Sequence, residues 1–193
     1  MDGVVKDKLY LLIIFSLIFL ILTIISYFSG FDSNVHDYFF LVNKNILTLI
    51  MSYITLVGGR ECIIILTVIV LLYLLMKKNY EFSLFYLICV AGTVLINYEL
   101  KGLFQRVRPE IYGTEFAFPS GHAMASIVVF GALALYFWPK SKKISIGLLI
   151  LPLLIGFSRL YLDVHWLSDV FGGFFFGTFW LAITFYLFYG WKK

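Results

Sequence analysis

Residues 9–28 read LYLLIIFSLIFLILTIISYF, with no charged side chain from end to end. An apolar run of about 20 residues matches the thickness of a bilayer's hydrocarbon core. In lipid the backbone must satisfy its own hydrogen bonds, so the run reads as a membrane-spanning helix. Lys6 and Lys8 precede it. A secretory leader is the competing reading, but leaders carry a shorter core of about 7–15 residues followed by a small-residue cleavage site. Neither feature is present, and the segment is expected to remain as an anchor.

Working outward, comparable runs occupy 61–76, 82–103, 120–138, 144–162 and 167–189. Residues 46–57 are apolar but too short to span comfortably, and Gly58-Gly59 interrupts them. That segment is expected to lie in the interface. Between it and the first run is a more polar stretch, 31–44, carrying Asp32, His36, Asp37 and Lys44. Composition agrees: 62% of the 193 residues are hydrophobic, 13% are charged and the mean hydropathy is +0.96. Soluble domains are about 45–50% apolar and about 25% charged. The expectation is one all-α, membrane-embedded domain over residues 1–193: a six-span helix bundle with an interfacial helix between spans one and two. Such a chain has no room for a soluble catalytic domain, so any chemistry must sit in loops and helix ends. No internal repeat is visible. Cys62 and Cys89 fall inside apolar runs without metal-type spacing and read as small buried apolar residues.

The basic residues segregate. Lys6, Lys8, Lys77, Lys78, Lys140, Lys142, Lys143, Lys192 and Lys193 fall in one set of loops; Lys44, Arg60, Lys101, Arg106, Arg108 and Arg159 fall in the other, with most of the acids. The positive-inside rule puts the lysine-rich set and both termini in the cytoplasm of a multi-pass protein in the cell membrane. The net charge of +4 is therefore anchoring charge, and no nucleic-acid partner is expected. All the unusual polar residues then share the outer face, where ionisable groups at a bundle's edge are functional candidates.

Three clusters stand at that face: Lys101-x6-Arg108-Pro109, then Pro119-Ser120-Gly121-His122, then Ser158-Arg159-x5-His165-x3-Asp169. Ser120, at the start of a long apolar run, fits a helix N-cap. A helix start rich in Ser and Gly is also an anion cradle, where free N–H groups meet the positive end of the dipole. Lys101, Arg108 and Arg159 bring positive charge to the same end, and arginine's planar fork matches phosphate oxygens. Taken singly, each of these cations reads as a lipid-headgroup contact; beside two histidines they read as phosphate ligands. His165 and Asp169, four apart, can hydrogen-bond if the helix has begun. The aspartate would fix the tautomer and free the other ring nitrogen to attack phosphorus. His122, from another helix, would serve as general acid and then as base for water. His36 lacks such neighbours in the sequence and reads as an interfacial polar residue. His122, His165, Asp163 and Asp169 could be drawn as a metal set, but three nearby cations would repel a divalent ion while supplying its charge. Neither metal nor cofactor is expected.

With these residues in place the chain resembles the type-2 phosphatidic acid phosphatase family, also called lipid phosphate phosphatases, related to vanadium haloperoxidases. The pattern K-x6-RP, PSGH, SR-x5-H-x3-D is filled at Lys101, Arg108, Pro109, Pro119, Ser120, Gly121, His122, Ser158, Arg159, His165 and Asp169, with no departure. The resemblance implies a six-helix membrane bundle with His165 as nucleophile, His122 as acid and base, and Asp169 supporting His165. It also implies phosphate binding by Lys101, Arg108, Ser120, Gly121 and Arg159, without metal. The small size and outward-facing site look most like bacterial members, which act on phosphatidylglycerophosphate, phosphatidic acid or undecaprenyl diphosphate. The expected partners are a lipid phosphate and the bilayer, with no obligatory protein partner. An intramembrane serine protease is a rival, but Phe118 stands where a Gly-x-Ser-Gly turn needs glycine, and the cations would have no role. A lipid or phosphate transporter is another; repeated halves and mid-span polar sites, usual there, are not evident. A haloperoxidase would need bound vanadate. Glu110 and Glu115, between the first two clusters, read as a solvated loop.

Overall fold

Long uncharged runs become helices because every backbone donor then finds its acceptor within the same segment. The structure, a computed structural model, describes residues 3–41, 46–109 and 116–191, and among these every regular element is helical. They are α1 (Gly3–Phe28), α2 (Phe31–Leu41), α3 (Ile46–Val57), α4 (Arg60–Met76), α5 (Tyr80–Phe104), α6 (Gly121–Phe137), α7 (Lys142–Tyr161) and α8 (Leu167–Tyr189). The Glu110 and Glu115 loop, like Lys44, lies outside the described residues.

α1, α5, α7 and α8 are each long and apolar enough to cross a membrane, and α3 with α4 passes the same test as a pair. The pair bends by 46° at its break, where Gly58-Gly59 interrupts the helix. Residues 46–57, read as a separate interfacial helix, are thus joined to α4 across that bend. α6 has 17 residues, about 25 Å at 1.5 Å per residue, which is short for a bare lipid span. It is also the most enclosed helix: residues from Ala123 to Ala134 are almost all buried, and α5, α7 and α8 pack around it. Protein surrounds it, so lipid thickness does not dictate its length.

α1 lies along α8, where Ser16 Oγ donates to Thr178 Oγ1 at 3.0 Å, the kind of small hydroxyl pair that joins helices in lipid. Aliphatic side chains such as Ile14, Ile21, Ile65 and Leu95 point outward. Cys89 is buried as expected, but Cys62 is exposed on the outer side of α4; both are free thiols. The polar stretch after α1 is also more than a connection. It forms α2, which carries Asp32 in its first turn and packs against α1, α7 and α8. The ends of α5 and α7 and the starts of α4, α6 and α8 therefore meet at one end of the bundle.

Candidate active site

A cavity of about 1120 Å³ opens at that end. Lys101, Arg108, Gly121, His122, Arg159 and His165 line it together with Arg60, Asn97 and Glu99, and Ile63, Ile64, Val90 and Val94 of α4 and α5 give it apolar surface. Ser120 and Asp169 are fully buried beside it. Residues spread over 69 positions of sequence thus converge on a single space.

His165 does not sit in a helix. α8 begins at Leu167 with Trp166 as its N-cap, and Asp163, at φ +56°, turns the chain out of α7. The loop nevertheless brings His165 Nδ1 to 3.3 Å from Asp169 Oδ2. That same oxygen accepts the Trp166 N–H at 2.9 Å, a reach-back contact from the first turn, where the helix dipole favours a carboxylate. His165 is only 4% exposed. Burial holds its pKa well below the usual histidine value; Arg159, Arg108 and Lys101 push the same way, and the Ala117 backbone opposes weakly. The ring is therefore neutral at physiological pH, with its Nδ1 turned to Asp169.

Ser120 occupies the N-cap position of α6, yet its hydroxyl makes no capping bond. The Oγ is buried with no partner, a state that ordinarily costs about 1–3 kcal/mol. The capping alternative is not realised, and the hydroxyl is left for something else. At Gly121 a Cβ would stand 3.2 Å from Asn97 Oδ1, so the Asn97 amide would have to give by a few tenths of an ångström. Asn97 Nδ2 in turn donates to the Pro119 carbonyl at 3.2 Å. Arg159 is 9% exposed; Nη1 donates to Thr55 Oγ1 at 2.7 Å, while its buried Nε has no partner. Lys101 Nζ donates to the Phe116 carbonyl. Ser158 spends its hydroxyl on Ile155 of its own helix.

Several site residues escape a reading of the sequence. His36, read as interfacial, pairs through Nδ1 with Asp163 Oδ1 at 2.7 Å and stands edge-on to Trp166. Arg106, counted only as an outer cation, binds Asp169, Ser168 and Asp32. α3 contributes Thr55, and Gly58, in the break that follows it, packs against His122. The available signal was polarity itself: Asp32 and His36 are ionisable residues in an apolar chain. Among the described residues no three His, Cys, Asp or Glu side chains group as metal ligands, and Asp163 faces His36.

Residues 82–193 match the PAP2 superfamily. The chain belongs to that superfamily. Phosphatidylglycerophosphatase B of Bacillus subtilis is 32% identical over 145 residues, covering 69% of this chain and 71% of that protein. An undecaprenyl-diphosphatase of Sulfolobus acidocaldarius is 28% identical over 182 residues, 86% of this chain and 85% of its own length. The crystal structure of a transmembrane PAP2 type phosphatidylglycerolphosphate phosphatase from Bacillus subtilis superposes with a TM-score of 0.82 at 27% identity. It covers 94% of this chain and 98% of that one. This PAP2 chain is accordingly an all-helical, multi-pass membrane protein.

Proposed function

We propose that this PAP2 protein is a lipid phosphatase that hydrolyses phosphatidylglycerophosphate, phosphatidic acid or undecaprenyl diphosphate through a phosphohistidine, at the extracytoplasmic face. The observation that carries the reading is the cavity. Its lining offers two imidazoles and four cations, Arg60 among them, beside aliphatic side chains of α4 and α5, which suits a phosphate attached to a lipid. On this reading residues 1–193 form one domain of six spans, with α3 lying at the interface and both termini in the cytoplasm.

The chemistry follows from the roles each group can take. His165, neutral and held at Nδ1 by Asp169, attacks phosphorus with Nε2. The bond from phosphorus to the leaving oxygen of the lipid breaks, and His122, which takes up a proton when the anionic phosphate binds beside it, gives that proton to the oxygen. A water then attacks the phosphohistidine, losing its proton to His122; the P–N bond breaks and phosphate leaves. Lys101, Arg108, Arg159, Ser120 and the Gly121 N–H hold the equatorial oxygens, and such positioning and charge stabilisation supply most of phosphoryl-transfer catalysis. Three cations do the work a divalent ion would otherwise do, so activity is expected to survive chelator.

The test is phosphate release in detergent, without any membrane gradient, from each of the three lipids. Release that disappears in His165→Ala and His122→Ala supports the enzyme. Radiolabel trapped on the wild type and absent from His165→Ala supports the nucleophile; label persisting in that variant refutes it. No release from any of the lipids, with phosphate movement only across a sealed vesicle, would favour a transporter.

A further inference from the structure

Arg106 lies two residues before Arg108, yet the two diverge. Arg108 lines the cavity and Arg106 does not. The Arg106 guanidinium bridges two carboxylates instead: Nη1 donates to Asp169 Oδ1 at 2.8 Å and Nη2 to Asp32 Oδ2 at 2.7 Å. Nη1 also reaches Ser168 Oγ. The group is walled by the rings of Tyr27 and Trp166, with centroids 5.0 and 5.4 Å away. Asp32 is fixed in turn by the Ser168 N–H at 2.8 Å and the Ser168 hydroxyl at 2.6 Å. Ser168 and Asp169 are 0% exposed and Asp32 6%.

The consequence falls on Asp169. Its Oδ2 serves His165 and the Trp166 N–H, and its Oδ1 serves Arg106. With both oxygens taken the carboxylate cannot rotate. A buried carboxylate without a cation is costly enough that it takes up a proton instead, and a protonated Asp169 would no longer stabilise a developing imidazolium. Arg106 stands where it opposes both failures.

We propose that Arg106 is a positioning residue for the phosphoryl transfer: it aims Asp169 at His165 and favours its charged form, and Asp32 of α2 locks Arg106 in place. This rests on the reading of His165 as nucleophile. It makes the polar stretch after the first span part of the active site, and it gives the two arginines of the first cluster different jobs.

The test is a double-variant cycle on purified protein in detergent, using whichever of the three lipids the wild type turns over. Arg106→Gln is expected to lower kcat about 10–100-fold, the size of a lost hydrogen bond to a charged group, with KM nearly unchanged. Arg108→Gln, by contrast, removes a direct phosphate ligand and should raise KM as well as lower kcat. Arg106→Lys keeps the charge but cannot bridge both aspartates, and should recover part of the loss; Asp32→Asn should lose less than Arg106→Gln. Arg106→Gln combined with Asp169→Asn should be no slower than Asp169→Asn alone, because both act through one carboxylate. Full additivity, or a rise in KM with kcat intact, would overturn the proposal. If Arg106→Gln does not fold, Arg106→Lys carries the same cycle. Trapped label in His165→Ala, read on the same preparations, reports separately on the nucleophile.

Discussion

The backbone N–H of Ser120 donates to the carbonyl of Asp169 across 2.9 Å, stitching the start of α6 to the first turn of α8. One hydrogen bond thereby couples the turn proposed to cradle an anion to the helix that carries Asp169. It is possible only because the two backbones approach closely.

Gly173 sets that approach. A Cβ there would stand 2.7 Å from the Ser120 carbonyl oxygen and 3.1 Å from the Met124 nitrogen, and neither backbone atom can swing aside. Gly173→Ala is expected to cost about 1–3 kcal/mol, as overpacking does, and to lower activity with it. Thermal unfolding in detergent and phosphate release are the two readings. A stable, fully active variant would show that the contact is not needed.

Ser120→Ala should separate stability from activity. The hydroxyl caps nothing and lies buried without a partner, so its removal relieves a desolvated group at no loss of a hydrogen bond. The melting temperature is expected to hold or rise, whereas an ordinary N-cap serine replaced by alanine costs about 1 kcal/mol. Phosphate release should nevertheless fall about 10-fold or more if the hydroxyl meets a charged phosphate oxygen. Lower stability with normal release would reverse the interpretation.

Gly58→Ala probes the break between α3 and α4. The added Cβ would lie 2.5 Å from Ile155 Cγ2 and 3.4 Å from His122 Cδ2. Ile155 is fully enclosed in the core, so it cannot yield cheaply, and strain of about 1–3 kcal/mol is expected. The displaced α4 would press on the His122 ring. Leaving-group dependence gives the check: if His122 is the acid, the variant should lose most on lipids with poor leaving oxygens.

His165 makes stability depend on pH. Its pKa in the fold lies well below the ordinary histidine value, near 6.5 in an unfolded chain. Between those two values the unfolded chain binds more protons than the folded one, so stability rises with pH. Read downward, stability is complete above about pH 6.5 and is lost as pH falls toward the folded value. Melting curves at pH 7 and at pH 5, conditions that bracket the unfolded pKa from about half a unit above to more than a unit below, should show a smaller drop for His165→Gln than for the wild type. An equal drop in both would mean that burial of this ring does not set the acid limit.

How far the sequence reached can be judged from particular residues. Long uncharged runs such as 9–28 are sufficient to announce membrane helices, because lipid leaves the backbone few alternatives. Of the eight residues that the three motifs nominated, six line the one cavity. Residue type and spacing carry that much, since each motif is local and its chemistry is written in its side chains.

What the sequence did not carry is pairing at a distance. Nothing local says that Arg106 will reach Asp169, 63 residues on, and Asp32, 74 residues back, while its neighbour Arg108 turns to the cavity. Nor does periodicity reveal that α2 is a helix inserted beside α8, that Thr55 of α3 grips Arg159, or that Ser120 withholds its hydroxyl from the cap. The amino-acid string alone determined the solvent, the helices and the chemical inventory. Tertiary packing decided which charged group meets which partner, because in a buried site each charge is stable only where the folded chain supplies its counterpart.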